Sequence, residues 1–530
     1  MTRHQFHRLS AGNISAFVTA LLLLATPLHS AEAQSTTNTA VGKPAAKLTA
    51  AQLQADFVVF KHACQDMHPG LYRYNTRRQM DANFRQLQSQ LNHDLSLSGA
   101  YIAFAQFLAK IECGHSYPNF FNQPKSTAEA LLQNPDRVPF LFRWLGRRMI
   151  VTRNLSKDPR LVPGTEVLAI NGTPAGKILD TLMTVSRADG SNEAKRRENL
   201  EIHGTSRYEA FDIYFPMFFP VREKALSLKV KPPQQGKLDL QVEALTYDQR
   251  LAPYKAQIEA LRGDKPVWEL QFLDDRTACL RMPSWAVFNS KWDWQGFLDL
   301  AFEQMAQKNV RTLVIDLRGN EGGSDIGNAI LSKLIKTDLH AAGQLLRWVR
   351  YRKAPKDLKP YLDTWDWSFL DWGDYARDLK DGFSRMTKFD DDAAGDVIKA
   401  SPHPFAGKTF VIVDASNSSA TFQFDKTVKQ NHLATLVGQT TGGNQRGING
   451  GAFFFLNLPN SKIETDLPLV GFFPPGFRPA LGKSFQMSVP DAGIDPDIFV
   501  KPAIEDIQHG VDSEMKAVLQ LASAGTDQEK

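Results

Sequence analysis

Cysteine is scarce in this sequence, and the cysteines that occur do not suggest a scaffold or a metal site. Three are present among 530 residues, too few for a small fold held together by disulfides. Cys64 and Cys113 could pair if the helices that carry them pack together, which would leave Cys279 as a buried thiol, but the sequence leaves all three pairings open. None of the three stands at a metal-ligand spacing, so no zinc or other metal site is predicted.

Long hydrophobic runs are also missing after the N-terminal stretch. No later window approaches the ~18 apolar residues of a membrane span, so we expect no membrane insertion of the mature chain. At the N-terminus, Arg3 and Arg8 precede the apolar run 14–24, and an Ala-x-Ala site ends at Ala33. This pattern predicts a cleaved signal peptide over 1–33 and a periplasmic or secreted protein, with an uncleaved membrane anchor as the alternative.

A concentrated charge of one sign and a nucleotide-binding motif are absent as well. The formal net charge is +5, and loss of residues 1–33, which hold two Arg and one Glu, would leave +4. Because the charges are interspersed, nucleic acid is not expected as a partner. The sequence has no Rossmann or P-loop glycine pattern, and no cofactor is predicted.

The first half of the chain changes in texture and predicts two domains after a linker. Residues 34–48 are rich in Ser, Thr, Ala and Lys and predict a flexible linker. Apolar residues then recur at helical spacing and predict a helical domain over 49–125, with Ser98 as a candidate cap of its third helix. Short alternating runs predict a mostly β domain over 138–262, in which Asn171-Gly172 forms a turn.

Strands alternate with helices over 265–505, which is typical of an α/β layer fold. A C-terminal helix and tail are expected at 506–530. The segment 340–400 interrupts the alternation and is rich in Trp and Asp. A loop-rich excursion of that length predicts either a lid or binding element, or a surface subdomain with aromatic packing.

Ser419 is the first residue with a predicted chemical role. The apolar run 409–413 predicts a buried strand, a turn of small polar residues follows, and a helix is predicted from Ala420. A hydroxyl at such a junction lies beside the backbone N–H groups of the first helical turn, which can stabilise an oxyanion. Taken alone, the pattern fits a helix cap as well as a nucleophile.

A second strand–turn–helix junction contains glycines. The predicted strand 312–317 leads into Arg318-Gly319-Asn320-Glu321-Gly322-Gly323, and a helix is predicted from Ser324. Glycines let backbone N–H groups approach a substrate oxygen without a side-chain clash. A phosphate site would need a Lys-Ser or Lys-Thr after the glycines, and the sequence has none there.

Together, these two junctions resemble the tail-specific (C-terminal processing) serine protease family. The family motifs are I-D-L-R-G-N-x-G-G, a Ser-Ala turn, a G-x-T-x-G element and a closing G-[IV]-x-P-D. The chain matches them at 315–323, at Ser419-Ala420, at 438–443 and at 493–497. The resemblance covers roughly 265–502.

The resemblance implies an α/β fold with a crotonase-like (ClpP-like) core, in which ββα units wind as a superhelix. It also implies a PDZ-like domain, because the stretch 163–172 is similar to the ligand-loop region of such domains. The implied activity is that of a serine-type endopeptidase, with a peptide or protein as substrate.

One position departs from the best-known branch of the family. That branch uses a Ser-Lys dyad, and the alignment puts Asn444 at the lysine position, where an amide cannot act as a base. The Thr441-Gly442-Gly443 form looks more like the branch typified by the tricorn core protease, in which an upstream histidine is the base. Gly114-His115-Ser116 is similar to the D-G-H-[TS] element of histidine-using members, although Cys113 stands where their Asp does. The resemblance therefore implies His115 as the general base of Ser419.

The remaining site residues follow from the same resemblance. Members of this branch carry a carboxylate shortly before the closing motif, which implies that Asp491 orients His115 or a bridging Ser116, with Asp495 as the alternative. The oxyanion hole is expected from three backbone N–H groups and the substrate-binding element from the Thr-Gly-Gly stretch. These residues are Gly322, Gly323 and Ala420 for the oxyanion hole, and Thr441, Gly442 and Gly443 for substrate binding.

Two other functional interpretations stay open at this point. A catalytically inactive peptide-binding module of the same fold is favoured by Asn444 and opposed by Ser419 and His115. An acyl-CoA enzyme on a crotonase-like core is opposed by the predicted signal peptide, since such enzymes are cytoplasmic.

Overall fold

A computed structural model describes residues 47–254, 265–288, 290–340, 345–376, 380–388, 397–481 and 487–524. The predicted signal peptide and nearly all of the predicted linker lie outside the described residues. Within the described ranges, no helix is both long and apolar enough to cross a membrane.

Helices form the first part of the described chain. They are α1 Ala50–Met67, α2 Arg77–Gln90, α3 Leu97–Ile111 and α4 Lys125–Leu131. Thr49 and Thr76 start α1 and α2 with capping boxes, each pairing its hydroxyl with a glutamine three residues on, which satisfies N–H groups that have no intrahelical acceptor. The predicted helices are confirmed, but the cap of α3 is Ser96 instead of Ser98: Gly99 N donates to Ser96 Oγ at 3.1 Å.

All three cysteines are buried free thiols. Of the alternatives left open by the sequence, the structure therefore has no pairing of Cys64 with Cys113. Burial without a cationic partner raises the pKa of the Cys64 thiol, which makes it an unreactive packing residue.

An antiparallel sheet of six strands follows. Its strands are β1 Phe140–Leu145, β2 Arg148–Asn154, β3 Glu166–Ile170, β4 Thr173–Pro174, β5 Ala225–Lys231 and β6 Leu238–Glu243, in the order β1-β2-β3-β5-β6 with β4 on β3. Asn171 and Gly172 have φ values of 49° and 76°, as expected for the predicted Asn-Gly turn. The region also contains helices that the sequence patterns mostly do not predict: α5 Ala175–Leu182, α6 Glu193–Glu198, α7 Ala210–Phe218, α8 Tyr247–Leu251 and the 3-10 turn Ala252–Tyr254.

From residue 265 strands and helices alternate as predicted. In chain order they are β7 Glu269–Phe272, β8 Thr277–Arg281, α9 Trp294–Gln307, β9 Thr312–Asp316, α10 Gly327–Leu334, β10 Leu339–His340, β11 Leu346–Val349, β12 Leu362–Asp363, β13 Ser384–Arg385, β14 Val397–Ile398, β15 Lys408–Val413, α11 Ser419–Gln430, β16 Thr435–Gly438, β17 Ile448–Asn457, β18 Glu464–Phe473, β19 Ile498–Phe499, α12 Ile504–His509 and α13 Ser513–Ala524. Short 3-10 helices occupy Lys359–Tyr361, Trp367–Leu370 and Gly373–Ala376.

The second sheet has six strands in the order β19-β16-β15-β9-β8-β7, parallel from β8 to β19. Alternate residues of its buried strands face opposite sides. Leu313 and Val411 belong to the core on one face, and Val314 and Ile412 pack with Val518 of α13 on the other. Helices therefore cover both faces, which explains why the strands are continuous apolar runs in the sequence.

The predicted excursion 340–400 contributes strands instead of forming a separate layer of loops. Strands β11, β12 and β13 join the long hairpin β17–β18 in a five-stranded sheet, and β10 pairs with β14. Aromatic packing accounts for two of the three tryptophans, since Trp372 is buried and Trp365 lies against Phe453, while Trp367 is half exposed. The hairpin shares one hydrophobic core with the N-terminal helices and the first sheet.

Candidate active site

The two junctions singled out in the sequence lie side by side. Strands β9 and β15 are parallel neighbours, with Ile412 opposite Asp316. Because both strands run the same way, the turns that follow them emerge at the same sheet edge, where α/β folds bind ligands. The glycine turn 317–323 and the serine turn 414–419 are therefore adjacent.

Two asparagines fasten these turns to each other. Asn417 Nδ2 donates to Leu317 O at 2.6 Å and to Asn320 O at 3.1 Å. Asn320 Oδ1 in turn accepts from Thr421 Oγ1 at 2.8 Å, in the first turn of α11. Both asparagine side chains are fully buried, so these hydrogen bonds are shielded from water and fix the spacing of the two turns.

Ser419 starts α11 in a left-handed conformation, with φ 50°. A non-glycine residue at positive φ is uncommon and is held there by its surroundings. The contact partner is Gly322: a Cβ on Gly322 would lie 2.8 Å from Ser419 Cβ, 2.9 Å from Ala420 N and 3.0 Å from Ser418 O. Only glycine fits this close approach between the turns.

The backbone N–H groups beside Ser419 are not equally available. Gly322 N donates to Asn320 Oδ1 at 2.9 Å, so this group is already paired. Gly323 forms a parallel bridge with Trp285, in which Trp285 bonds the neighbours Gly322 O and Ser324 N, so the N–H of Gly323 itself faces away from Trp285. Ala420 lies in the first turn of α11, where an N–H has no intrahelical acceptor. Of the three predicted donors, Gly323 and Ala420 therefore have the more available N–H groups.

His115 lies in the loop after α3 and contacts the hairpin β17–β18. Its ring packs 5.7 Å from that of Phe453 in the hairpin, and its Nδ1 is buried without a hydrogen-bond partner among the described residues. Burial, together with Arg187 and Lys195, lowers the pKa of His115 to about 4, against the opposing effects of the Glu321 carboxylate and the Asn449 backbone. The imidazole is therefore neutral at pH 7, the form that can accept a proton.

A second histidine, His68, holds the His115 loop through the neighbouring residue Ser116. His68 Nδ1 accepts from Gly70 N at 3.1 Å, so the proton is on Nε2, which donates to Ser116 Oγ at 2.8 Å. Complete burial, together with Arg73 and Arg350, lowers the pKa of His68 to about 3, which keeps this tautomer neutral. The Ser116 hydroxyl oxygen therefore accepts a hydrogen bond from His68.

Asp491 and Asn444 lie together. Asn444 Nδ2 donates to Asp491 Oδ1 at 2.7 Å, and the same oxygen accepts from Ser191 N at 3.1 Å. Among the described residues, no hydrogen bond joins Asp491 to His115 or to Ser116, and none joins Ser419 to His115. Asp495 Oδ1 accepts from Thr440 Oγ1 at 2.6 Å.

The predicted substrate-binding stretch, Thr441-Gly442-Gly443, forms hydrogen bonds with other parts of the chain. Gly442 N and Gly443 N both donate to Asn417 O, at 2.7 and 3.0 Å. Thr441 N bonds Ile494 O, and Thr441 Oγ1 accepts from Ile494 N. The Thr-Gly-Gly stretch therefore supports the serine turn through Asn417, and the N–H groups of Thr441, Gly442 and Gly443 are unavailable to a peptide.

Lys195, a buried lysine next to the serine turn, lies outside every matched sequence motif. Lys195 Nζ bonds Glu321 Oε1 at 2.6 Å and Ser416 O at 3.2 Å, and it also lies 3.4 Å from Glu198 Oε2. Burial would lower the pKa of Lys195, but the two carboxylates outweigh it and hold the pKa above its usual value. Lys195 therefore stays protonated and does not replace the missing lysine base.

Arg187, Asp189 and Lys195 could not be predicted as site residues, because each depends on long-range contacts. The sequence around them has the charge and the small residues of an ordinary solvated turn. Asn320 lay inside a matched motif, although its role as the link between the turns could not be recognised from one chain. Among the described residues, no group of three His, Cys, Asp or Glu side chains could hold a metal ion.

Comparisons with solved structures find similar folds. The chain resembles the solved structure of mature CPAF complexed with lactacystin, with a TM-score of 0.56 and 17% identity over 89% of this chain and 97% of that one. It resembles a second structure of mature CPAF with a TM-score of 0.53 and 16% identity, over 86% and 94% of the two chains. At such identities the likeness shows the fold. No match was found among curated protein sequences.

A family model identifies the segment that contains both turns. Residues 276–452 match peptidase family S41, and this range runs from β8 to within β17 and includes Gly322, Gly323 and Ser419. The segment that carries both turns therefore resembles a family of peptidases, and the protein is a serine-type peptidase.

Proposed function

We propose that Ser419 is the nucleophile of an endopeptidase that works through an acyl-enzyme. The observation that carries the proposal is the left-handed Ser419 packed against Gly322 at the edge of the parallel sheet. This strained start of a helix exposes the side chain beside unpaired N–H groups. Ser419 is half-buried, so a peptide can reach it.

His115 is the general base in this proposal. It takes the proton from Ser419 Oγ as that oxygen attacks the scissile carbonyl carbon, and it gives the proton to the leaving amine as the C–N bond breaks. Water then attacks the acyl-enzyme with the same base, which releases the carboxylate product and restores Ser419. Gly323 N–H and Ala420 N–H stabilise the oxyanion of both tetrahedral intermediates.

The buried, unpartnered Nδ1 of His115 supports this role. A buried polar atom without a partner costs about 1–3 kcal/mol, and a ring held in that state is free to take up a proton when charge develops. Catalytic hydrogen bonds are often long before substrate binds, so the missing bond between His115 and Ser419 does not argue against the pair. Asn444 at the lysine position favours the histidine-using branch over the Ser-Lys branch.

Export, the PDZ-like domain and the crotonase-like core complete the proposal. The N-terminal sequence supports a signal peptide and a periplasmic or secreted enzyme. The six-stranded antiparallel sheet with α5 at its Asn-Gly turn is compatible with a PDZ-like peptide-binding domain, and the parallel sheet covered by helices with a crotonase-like core. We keep the predicted boundaries, 49–125 for the helical domain, 138–262 for the PDZ-like domain and 265–505 for the protease core.

Labelling with a fluorophosphonate tests the proposal. The mature protein should be labelled, with the adduct on the tryptic peptide of Ser419, and Ser419→Ala should abolish labelling. His115→Ala should slow it by about 10²- to 10⁴-fold, while the control His62→Ala, on the exposed face of α1 beside Asp66, should label as the wild type does. Normal labelling of His115→Ala would show that the base is another residue.

The competing function is an inactive peptide-binding module. It is favoured by Asn444, which stands at the lysine position and cannot act as a base. An unlabelled wild type that binds peptides would establish it.

A further inference from the structure

Residues 187–195 connect the predicted general base to the nucleophile turn. This segment, the clasp, runs from Arg187 to Lys195 between α5 and α6 and ends in the first turn of α6. Its polar side chains point to both sides of the candidate site. The clasp belongs to neither the helical part that carries His115 nor the parallel sheet that carries Ser419.

On one side the clasp holds the peptide groups next to His115. Asp189 Oδ1 accepts from Gly114 N at 3.0 Å, and Arg187 Nη1 donates to Gly114 O at 2.9 Å. Gly190 N donates to Glu112 O at 2.9 Å. The residue directly before His115 is thus fixed at both its N–H and its C=O by two side chains of one segment.

On the other side the clasp holds the serine turn and its support. Asn192 Nδ2 donates to Thr441 O and to Gly443 O, each at 2.9 Å. Lys195 Nζ bonds the carbonyl of Ser416 and the carboxylate of Glu321. The clasp therefore reaches both catalytic turns, three residues before Ser419 and one before Gly322.

Asn444 and Asp491 anchor the middle of the clasp. Asn444 Nδ2 donates to Asp189 O at 3.1 Å as well as to Asp491 Oδ1, and Asp491 Oδ1 accepts from Ser191 N. Gly190 leaves no room for a side chain, since a Cβ there would lie 2.2 Å from Asp491 Oδ1 and 2.4 Å from Asn444 Nδ2. The amide at the lysine position thus connects the core to the clasp.

We propose that Asp189 is the positioning residue of the general base, setting the place of His115 through Gly114, with Asn444 and Asp491 anchoring it to the protease core. The inference rests on the proposed function and deepens it. Asp189 is 4% exposed and contacts the loop directly, whereas Asp491 acts through the clasp. Asp189 at the N–H of Gly114 and Arg187 at its C=O together fix the loop more tightly than a single contact would, and a displacement of about 1 Å can cost about 10²-fold in rate.

The surroundings of Asp189 make its charge state part of the test. Burial raises the pKa of Asp189 to about 6, against the lowering effect of the Gly114 N–H and of nearby cations. The charged and titratable groups that face it are Arg73 and Tyr74 from the loop after α1, Cys113 from the His115 loop, Arg187 and Lys195 of the clasp, and Asp491 beyond Gly190. Asp189→Asn keeps an acceptor oxygen without the charge, and Asp189→Ala removes both.

The experiment compares these two variants in the mature chain with a fluorophosphonate and a peptide substrate. Asp189→Ala should lower the labelling rate and kcat by about 10- to 100-fold with KM little changed, because the base is displaced and not the substrate groove. Asp189→Asn should recover most of that loss. Asp180→Ala removes an exposed carboxylate of α5 that pairs with Arg147 and should match the wild type.

Amide hydrogen exchange gives a readout that does not depend on activity. Exchange at 112–116 should speed up in Asp189→Ala, while α11 stays protected. Gly114→Ala perturbs the same contact from the other partner, since its Cβ would lie 2.9 Å from Asp189 Oδ2, and it serves if Asp189→Ala does not fold.

Unchanged exchange at 112–116, or a loss that appears only in KM, would overturn the proposal for Asp189. An unlabelled wild type would instead refute the proposed function, and the exchange data would still decide whether the clasp fixes the His115 loop.

Discussion

Substitution of Gly322 by alanine is the most direct test of the geometry around Ser419. Gly322 has φ 99°, and its missing side chain leaves room for Ser419 and Ala420. A Cβ would meet Ala420 N at 2.9 Å and Ser418 O at 3.0 Å. Both are backbone atoms, so no side-chain rotation relieves the contact and one of the two turns must move.

Gly319 provides a matched control in the same turn. Its φ is 80°, and a Cβ there would have no atom within 4 Å. Alanine at either position adopts a disfavoured backbone conformation at about 1–3 kcal/mol. The two variants therefore share the conformational penalty, and only Gly322→Ala adds the collision with the serine turn.

The expected difference is large in rate and small in stability. A shift of Ala420 N–H away from the oxyanion costs about 10²- to 10³-fold, or about 3–4 kcal/mol of transition-state stabilisation. Gly322→Ala should therefore lower the fluorophosphonate labelling rate by at least about 10²-fold relative to Gly319→Ala. Thermal unfolding, measured in parallel, should place the two variants close together. Equal labelling of both variants would refute this oxyanion geometry, as would normal labelling of Gly322→Ala.

Three other predictions concern titration and charge. In the pH profile of kcat/KM, activity should fall slightly near pH 6, where Asp189 gains a proton, and then steeply as pH drops through about 4, where His115 gains one. The variant Asp189→Asn should lack the step near pH 6. A single fall near 6.5 would instead point to an unburied histidine. Asn444→Asp places a carboxylate against that of Asp491 and removes the donor, so it should lower the free energy of unfolding by about 2–3 kcal/mol and slow labelling, whereas tolerance in denaturant titration would argue against the anchor. Burial raises the pKa of Asp466 to about 7. The contribution of this group to stability is therefore fully present below its ordinary pKa near 4 and is lost as pH rises through 7. Asp466→Asn should remove this decline in thermal stability, and an unchanged pH dependence would contradict the prediction.

The fold was predictable where the signal is local. The apolar runs at 312–316 and 408–413 are buried on both faces of a parallel sheet, so they could be recognised as strands without any knowledge of the pairing. The capped helices α1 and α2 were equally clear from their periodicity. By contrast, the helix Glu193–Glu198 was not predicted, since it is short and rich in charge, and it is stabilised by burial of Lys195 against another part of the chain.

The candidate site shows the same division. Ser419, Gly322 and Gly323 could be singled out as candidates because their neighbours in sequence shape the two turns. Asp189 was not found, because its partner Gly114 is 75 residues away and nothing in its own neighbourhood differs from a solvated turn. The excursion 340–400 was ambiguous for a related reason: its strands are at most four residues long, and they pair with a hairpin that lies later in the chain.

Under the proposed function, the position of the base explains why such a clasp is needed. A lysine base at this position would come from the same core as Ser419, whose turns are already fastened by Asn320 and Asn417. The proposed base His115 comes from outside that core and must instead be held in place by other parts of the chain, where a misplacement of about 1 Å costs about 10²-fold. Asn444 supplies part of that hold itself, because its amide bonds both Asp491 and the backbone of Asp189. Asn444 thus helps to position the proposed base His115. Asn444→Lys should therefore not create a Ser-Lys enzyme: it should release the clasp and lower the activity below that of the wild type.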